Sequence, residues 1–116
     1  MSDHPVLHFE IGCHDGAQTR EFFKNLFDWD ISDPDNGLII DTGPKGTIGG
    51  HIVELAPEWG NYVTVYVKVE NLQETLQRAT DLGGKVLVAP VELPGQGSFA
   101  WFAAPEGNII GIWKSV

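Results

Sequence analysis

The strongest constraint on the fold is an order of strand and helix signals that occurs twice along the chain. In the first half, VLHFEIGC (6–13) alternates apolar and polar residues with the period of a strand. Residues 16–27 then show helical spacing, with Asp15 as a candidate N-cap. Three short strand candidates follow, WDIS, GLIIDT and IGGHIVEL, separated by the turn sequences DPDNG and GPKG. The first half therefore predicts the order βαβββ.

The same order recurs after a shift of 56 residues, which places Phe9 on Val65 and Asp15 on Asn71. NLQETLQRATDLGG predicts a capped helix that ends at two glycines, and KVLVAPVEL, GSFAWFAA and NIIGIW predict three further strands. The sequence thus predicts one α+β domain over 1–116, built from two tandem βαβββ modules at about 5–57 and 60–116. A ferredoxin-like βαββαβ sandwich is the alternative, but it leaves two strand candidates unused.

Composition narrows the classes of partner. The net charge of −9 is concentrated in the first half, so a nucleic-acid partner is not expected. The acidic surface favours a cationic ligand, or it serves only solubility. No apolar run is long enough to span a bilayer, and the N-terminus has no secretory pattern, so no membrane partner is expected. Cys13 is the single cysteine and lies on the apolar side of its strand, which predicts a core residue and a cytoplasmic protein.

Two ionisable residues on the first predicted strand are candidates for chemistry. His8 and Glu10 are two residues apart, so the strand period places both on the polar face, about 6.6 Å apart along the strand. A carboxylate beside an imidazole can act as a general acid–base pair. The alternative is that Glu10 is a solvated or ion-paired acid and that His8 is a hydrogen-bonded wall residue.

Several segments together resemble the vicinal oxygen chelate superfamily, which includes glyoxalase I, bleomycin-resistance proteins, fosfomycin-resistance enzymes and extradiol dioxygenases. The resemblance covers nearly the whole chain. It is carried by LHFEIGCHD, FFKNLFDW, VYVKVENLQETLQRATDLGGKVL and PGQGSFAWFAAPEGNIIGIW, with Gly49-Gly50 near the fourth strand as in small glyoxalase-like members. The resemblance implies a cupped mixed sheet around a ligand cavity, a small-molecule ligand and a homodimer.

The resemblance also implies a metal-ligand pattern, which this sequence matches only in part. Metal-binding members carry a histidine on the first strand, a histidine or glutamine on the fifth and a glutamate on the eighth. Here His8 matches, whereas Thr64 stands at the fifth-strand position and Gly111 at the eighth. The usual metal site is therefore expected to be incomplete. His8, Glu10 and His51 form an alternative ligand set whose chemistry suits a divalent ion such as Zn, Fe, Mn or Ni.

Four further residues are candidates for the wall of a ligand pocket. Thr64 and Tyr66 share a strand face and offer hydroxyl groups. Gly111 and Trp113 share a face of the last strand, where the glycine is expected to open space and the indole to offer a flat surface for an aromatic or cationic ligand. The alternative is that the tryptophans belong to the core or to a dimer interface and that Gly111 is a bulge or a close-packing point.

Three functions are compatible with these residues. The first is a lyase, isomerase or dioxygenase that uses a metal held by His8, Glu10 and His51. The second is a metal-independent pocket that binds an apolar or cationic compound. The third is a metal-free acid–base enzyme that uses Glu10 and His8. The incomplete metal pattern favours the second and third functions over the first.

Overall fold

A computed structural model describes residues 3–116 and shows the element order that the sequence predicts. The described chain contains two α-helices and eight strands, with a single 3-10 turn at Pro34–Asn36. The bounds are β1 Val6–Cys13, α1 Gly16–Phe27, β2 Asp30–Ile31, β3 Ile39–Asp41, β4 Gly49–Glu54, β5 Tyr62–Lys68, α2 Leu72–Asp81, β6 Lys85–Leu93, β7 Gly97–Ala103 and β8 Ile109–Ser115. The predicted α+β class with two βαβββ modules is confirmed.

The described residues form two compact units, which we call the first module (8–64) and the second module (3–7 with 65–116). Residues 3–7 belong to the second module, and the backbone N–H of Lys68 donates a hydrogen bond to the carbonyl of Pro5 at 2.9 Å. The start of β5, residues 62–64, belongs to the first module, whereas the sequence pattern placed it in the second. Tyr62 therefore belongs to the first module, together with β1 and β4.

In the first module the strand order is β2-β3-β4-β1, with β1 and β4 parallel and the other pairs antiparallel. Helix α1 begins where the Asp15 side chain accepts a hydrogen bond from the backbone N–H of Gln18 at 2.9 Å, as predicted. Phe23 on the helix packs against a buried cluster that includes Cys13 and Ile52. Because α1 packs on the face that carries Cys13, the even-numbered residues of β1 lie on the opposite face.

In the second module the strand order is β5-β8-β7-β6, with β5 and β8 parallel and the other pairs antiparallel. Helix α2 is capped by Asn71, which accepts a hydrogen bond from the N–H of Glu74 at 3.0 Å, and the chain turns at Gly83, whose φ is +103°. The buried core lies under this helix and consists of Val69, Leu72, Leu76, Ala100 and Ile112. No helix among residues 3–116 is long and apolar enough to cross a membrane.

Candidate functional site: a hydrogen-bonded chain on the first module

The structure brings His8, Glu10 and His51 together on the face of the first module that is opposite α1. Parallel pairing of β1 with β4 places Glu10 directly beside His51, and places His8 beside Gly49. The side chains of Glu10 and His51 therefore project from neighbouring strands to the same side, and His8 lies one pleat away on the same face. The three side chains therefore lie on one face of the first module.

The three side chains form a continuous chain of contacts. The Nε2 atom of His8 lies 2.6 Å from the Nδ1 atom of His51, and the two ring centroids are 4.8 Å apart. The other nitrogen of His51, Nε2, lies 3.0 Å from the Oε1 atom of Glu10. Glu10 is buried, with only 4% of its surface exposed, while the two histidines are half-buried. A buried carboxylate is thus connected through one half-buried imidazole to a second.

Tyr62, which was not among the predicted site residues, completes the chain of contacts. Its hydroxyl donates a hydrogen bond to the Oε2 atom of Glu10, so both carboxylate oxygens have partners. The ring lies over Gly12, where an added Cβ would lie 2.7 Å from the Cδ2 atom of Tyr62. The usable signal was strand alternation: Tyr62 is two residues before the candidate Thr64, so both side chains lie on the same face of the strand.

The contacts permit two proton arrangements when Glu10 is ionised. In the first, His8 donates from Nε2 to His51, and His51 donates from Nε2 to Glu10. In the second, His8 has gained a proton on its other ring nitrogen and has passed the Nε2 proton to His51. The positive charge then lies on His51, directly beside the Glu10 carboxylate. The chain can therefore accept a proton at His8 and hold the resulting charge next to a buried anion.

The protonation equilibrium of His8 differs from that of an exposed histidine. Burial lowers the pKa of the His8 imidazole below its ordinary value of 6.5, and the adjacent His51 ring lowers it further. The Glu10 carboxylate opposes both effects and raises the His8 pKa in part. His8 is therefore predominantly neutral at pH 7, which is the state in which an imidazole accepts a proton.

The geometry of the same residues does not fit a single metal ion. Metal-bound nitrogens lie about 2.0–2.1 Å from zinc, so two tetrahedral nitrogen ligands are more than 3 Å apart. The facing nitrogens of His8 and His51 are only 2.6 Å apart. Glu10 contacts the opposite nitrogen of His51, on the far side of the ring. Within residues 3–116, no group of three histidine, cysteine or acidic side chains is placed to hold a metal ion.

Of the four candidates for the pocket wall, Gly111 has a different role from the one expected. On the second module Gly111 pairs with Tyr66, and the Tyr66 ring lies over it. An added Cβ at Gly111 would lie 2.5 Å from two atoms of that ring. Gly111 therefore does not open space for a ligand but makes room for Tyr66. Thr64 is buried on β5, and Trp113 is half-buried on β8.

The two modules differ at corresponding register positions. Glu10 pairs with His51 between β1 and β4, and Tyr66 pairs with Gly111 between β5 and β8. The acid–imidazole pair of the first module is thus replaced in the second by a tyrosine and a glycine. The Tyr66 hydroxyl accepts a hydrogen bond from Nε1 of Trp101 at 2.9 Å. Among the described residues, this acid–imidazole pair therefore belongs to the first module, and the corresponding position of the second carries an aromatic ring.

No protein-family model matches the chain, but it is similar to a protein named for anthracycline biosynthesis. Anthracycline biosynthesis protein DnrV of Streptomyces peucetius is 26% identical over 125 aligned residues, which cover 91% of this chain and 45% of that protein. The chain therefore spans less than half the length of this curated relative.

Two solved structures match at the level of the backbone. Methylmalonyl-CoA epimerase from Mycobacterium tuberculosis has a TM-score of 0.66 and 11% identity, covering 96% of this chain and 87% of that one. A glyoxalase/bleomycin resistance protein/dioxygenase superfamily member from Vibrio splendidus 12B01 has a TM-score of 0.63 and 17% identity, covering 98% of this chain and 100% of that one. Because these matches extend over nearly the whole of each chain, the chain has the fold of the vicinal oxygen chelate superfamily, as the sequence resemblance predicted.

Proposed function

We propose that the chain is a metal-independent acid–base enzyme that moves a proton on a small organic molecule. The observation that carries the proposal is the continuous chain from Tyr62 through Glu10 and His51 to His8. In this proposal His8 contacts the substrate and accepts or returns the proton. Glu10 and His51 are positioning residues that hold the His8 ring and stabilise the charge that it gains.

The charge balance of the step supports this division of roles. A substrate C–H or O–H bond breaks, its proton goes to His8, and the electron pair stays on the substrate, where an adjacent carbonyl group stabilises it. The positive charge passes to His51 and is neutralised by the Glu10 carboxylate, whose Oε1 atom lies 3.0 Å from Nε2 of His51. Return of the proton from His8 to a different atom of the substrate completes an isomerisation, and its return to the same carbon after the planar anion has turned over completes an epimerisation, in both cases without an added oxidant or ion.

The comparisons support a small molecule as the partner. DnrV is named for anthracycline biosynthesis, and a fold neighbour is a methylmalonyl-CoA epimerase. These names belong to those proteins and supply only the reaction class that we propose here. A homodimer and a cytoplasmic location remain predictions from the resemblance and from the single cysteine.

The test is deuterium exchange in D₂O with two carbonyl probes, methylmalonyl-CoA and ethyl 2-methylacetoacetate, followed by mass spectrometry. The protein is first treated with a chelator. We expect it to catalyse deuterium incorporation into at least one probe, and His8→Gln to lower the rate by at least about a hundredfold. His14→Gln is the matched control, because His14 is an exposed histidine of the same module whose Nε2 contacts the carbonyl of Trp59.

Three results would count against the proposal. Exchange that returns only when a divalent ion is added would favour the metal-dependent function. Exchange that survives in His8→Gln would remove His8 from the chemistry. If neither probe exchanges, and compounds of this class bind equally well to the wild type and to His8→Gln, the second function, a binding protein without proton chemistry, would be favoured.

A further inference from the structure

The second module has an aromatic face on the side opposite α2. Helix α2 packs on the side of Ala100, Phe102 and Ile112. By strand alternation the residues between them lie on the other side, which no helix of the second module covers. The aromatic side chains on that side are Tyr66, Phe99, Trp101 and Trp113. We call these four residues the aromatic face.

Pairing between β7 and β8 brings these rings close together. Phe99 stands directly opposite Trp113, and Trp101 stands opposite Gly111. Directly opposed residues of antiparallel strands lie about 5 Å apart, and Phe99 and Trp101 are separated by about 7 Å along β7. Phe99, Trp101 and Trp113 each keep part of their surface exposed in the described chain. The face therefore offers accessible rings over an area comparable to two or three fused aromatic rings.

Glycines allow two of the rings to fold down onto the sheet. An added Cβ at Gly97 would lie 2.6 Å from the Cζ2 atom of Trp113, and one at Gly111 would lie 2.5 Å from the ring of Tyr66. A ring that lies over backbone presents its face, rather than its edge, to a ligand. Stacking against a flat ring is the interaction that such a surface favours.

The charges on this face have the opposite sign to those of the chain as a whole. Lys68 is the register neighbour of Trp113 on β5 and is exposed. Lys85 pairs with Ala103, which shares the face of Trp101, and it is also exposed. None of the strand residues on this side, among those that the structure describes, is acidic, although the net charge of the chain is −9. An anionic group on a ligand is therefore complementary to this surface.

We infer that the aromatic face is a binding site for a planar aromatic compound that carries an acidic group, such as a carboxylate or a phenolate. The rings of the ligand stack on Trp113, and its acidic group pairs with Lys68. This ligand class differs from the cationic one that the overall composition favoured. The inference rests on the second module alone and does not depend on proton transfer at His8.

Equilibrium dialysis with three probes distinguishes the contribution of ring stacking to binding from the contribution of charge. Anthraquinone-2-carboxylate is planar and anionic, proflavine is planar and cationic, and adamantane-1-carboxylate is anionic but not planar. We expect anthraquinone-2-carboxylate to bind at least tenfold more tightly than either of the others. Trp113→Leu should weaken its binding about tenfold, and Lys68→Gln should weaken it several-fold and reduce its dependence on salt.

Matched variants give the controls. Trp59→Leu removes an exposed tryptophan of the first module, and Lys45→Gln removes an exposed lysine of a turn there, so neither should change binding. If Trp113→Leu does not fold, the indole N–H signals of the wild type in an NMR titration replace it. Those of Trp101 and Trp113 should shift on addition of anthraquinone-2-carboxylate, and that of Trp59 should not.

The inference is overturned if proflavine binds as tightly as the anionic probe, if no planar probe binds, or if the Trp113 change leaves binding intact. The same dialysis on His8→Gln separates this site from the proposed function. Binding that is unchanged in His8→Gln, in a protein that shows no deuterium exchange, would uphold the aromatic site and reject the acid–base function. Deuterium exchange in a protein that binds no planar probe would uphold the acid–base function and reject the aromatic site.

Discussion

The Nδ1 atom of His51 lies 2.6 Å from the Nε2 atom of His8, and this contact joins an accessible imidazole to a buried carboxylate. Through this contact, the positive charge of a proton gained by His8 can be neutralised by the Glu10 carboxylate, which contacts the other ring nitrogen of His51. The following predictions test this chain, the packing of the second module and the absence of metal dependence.

Removal of the charge of Glu10 should weaken the fold. Glu10→Gln keeps the shape of the side chain, but it replaces one acceptor oxygen by an NH₂ group, which then faces a donor from either His51 or Tyr62. We expect a loss of about 2 kcal/mol in the free energy of unfolding, measured by urea denaturation. Glu58→Gln, an exposed change in the same module, should cost less than about 0.5 kcal/mol. Equal stability of the two variants would show that the buried carboxylate has no net role in the fold.

Tyr62→Phe removes one donor and keeps the ring that lies over Gly12. We expect a loss of about 1–3 kcal/mol, because one oxygen of a buried carboxylate loses a hydrogen bond. Val63→Ala, at an exposed neighbouring position, is the control and should have little effect. Thermal unfolding, monitored by circular dichroism, compares the stabilities of the two variants with that of the wild type. A Tyr62→Phe protein as stable as the wild type would mean that the hydroxyl contributes nothing to the chain.

Gly111→Ala should destabilise the second module, because the new Cβ would lie 2.5 Å from the ring of Tyr66. Overpacking of this kind costs about 1–3 kcal/mol. Gly60→Ala is the matched control, since nothing lies within 4 Å of its added Cβ and its φ does not favour glycine. A double variant, Gly111→Ala with Tyr66→Leu, should recover part of the loss. If Gly111→Ala alone is neutral by urea denaturation, Gly111 would not be required for the packing of Tyr66.

The pH dependence of stability should change when His8 is removed. Because the pKa of His8 is lower in the folded chain than its ordinary 6.5, the unfolded state binds more protons just below that pH. This histidine therefore lowers stability as the pH falls below about 6.5, until the pH reaches its folded pKa. Urea denaturation between pH 5 and 7.5 should show a smaller loss on acidification for His8→Gln than for the wild type. His4→Gln, at an exposed position, should behave like the wild type. If His8→Gln loses more stability on acidification than the wild type does, the direction of the pKa change would be contradicted.

Metal ions should not stabilise the protein. A specific ion at a hundred times its dissociation constant would stabilise the fold by about 2.7 kcal/mol, a shift of several degrees in the melting temperature. We expect no such shift when chelator-treated protein is offered Zn, Fe(II), Mn, Ni, Co or Mg, because the three candidate ligands do not converge on one point. A shift of several degrees with one ion, absent in His8→Gln, would show that these side chains rearrange around a metal.

Much of the fold could be predicted from local sequence signals. The period of two in β1 identified the face shared by His8 and Glu10, and the caps Asp15 and Asn71 fixed the starts of both helices. These signals depend on residues that are close in sequence, where propensity and hydrogen bonding act directly. The observed order of strands and helices therefore follows the predicted one.

The remainder of the site depends on contacts between distant segments. His51 meets Glu10 because β1 and β4 pair in one of several parallel registers, and a shift by one residue would turn His51 to the other face. Tyr62 was not selected because its partner is 52 positions away. The role of Gly111 stayed open because a glycine in a strand signals either open space or a close neighbour. Only the position of the Tyr66 ring decides between them.

His8, His51 and Glu10 should act as one unit in proton uptake, which ¹⁵N NMR of the imidazole nitrogens across pH 4 to 9 can follow. In the wild type the nitrogen signals of both rings should move together as His8 takes up a proton. In Glu10→Gln the uptake at His8 should move to lower pH, since the carboxylate raises the pKa of His8. Rings that titrate independently, with a His8 titration unchanged in Glu10→Gln, would contradict the account.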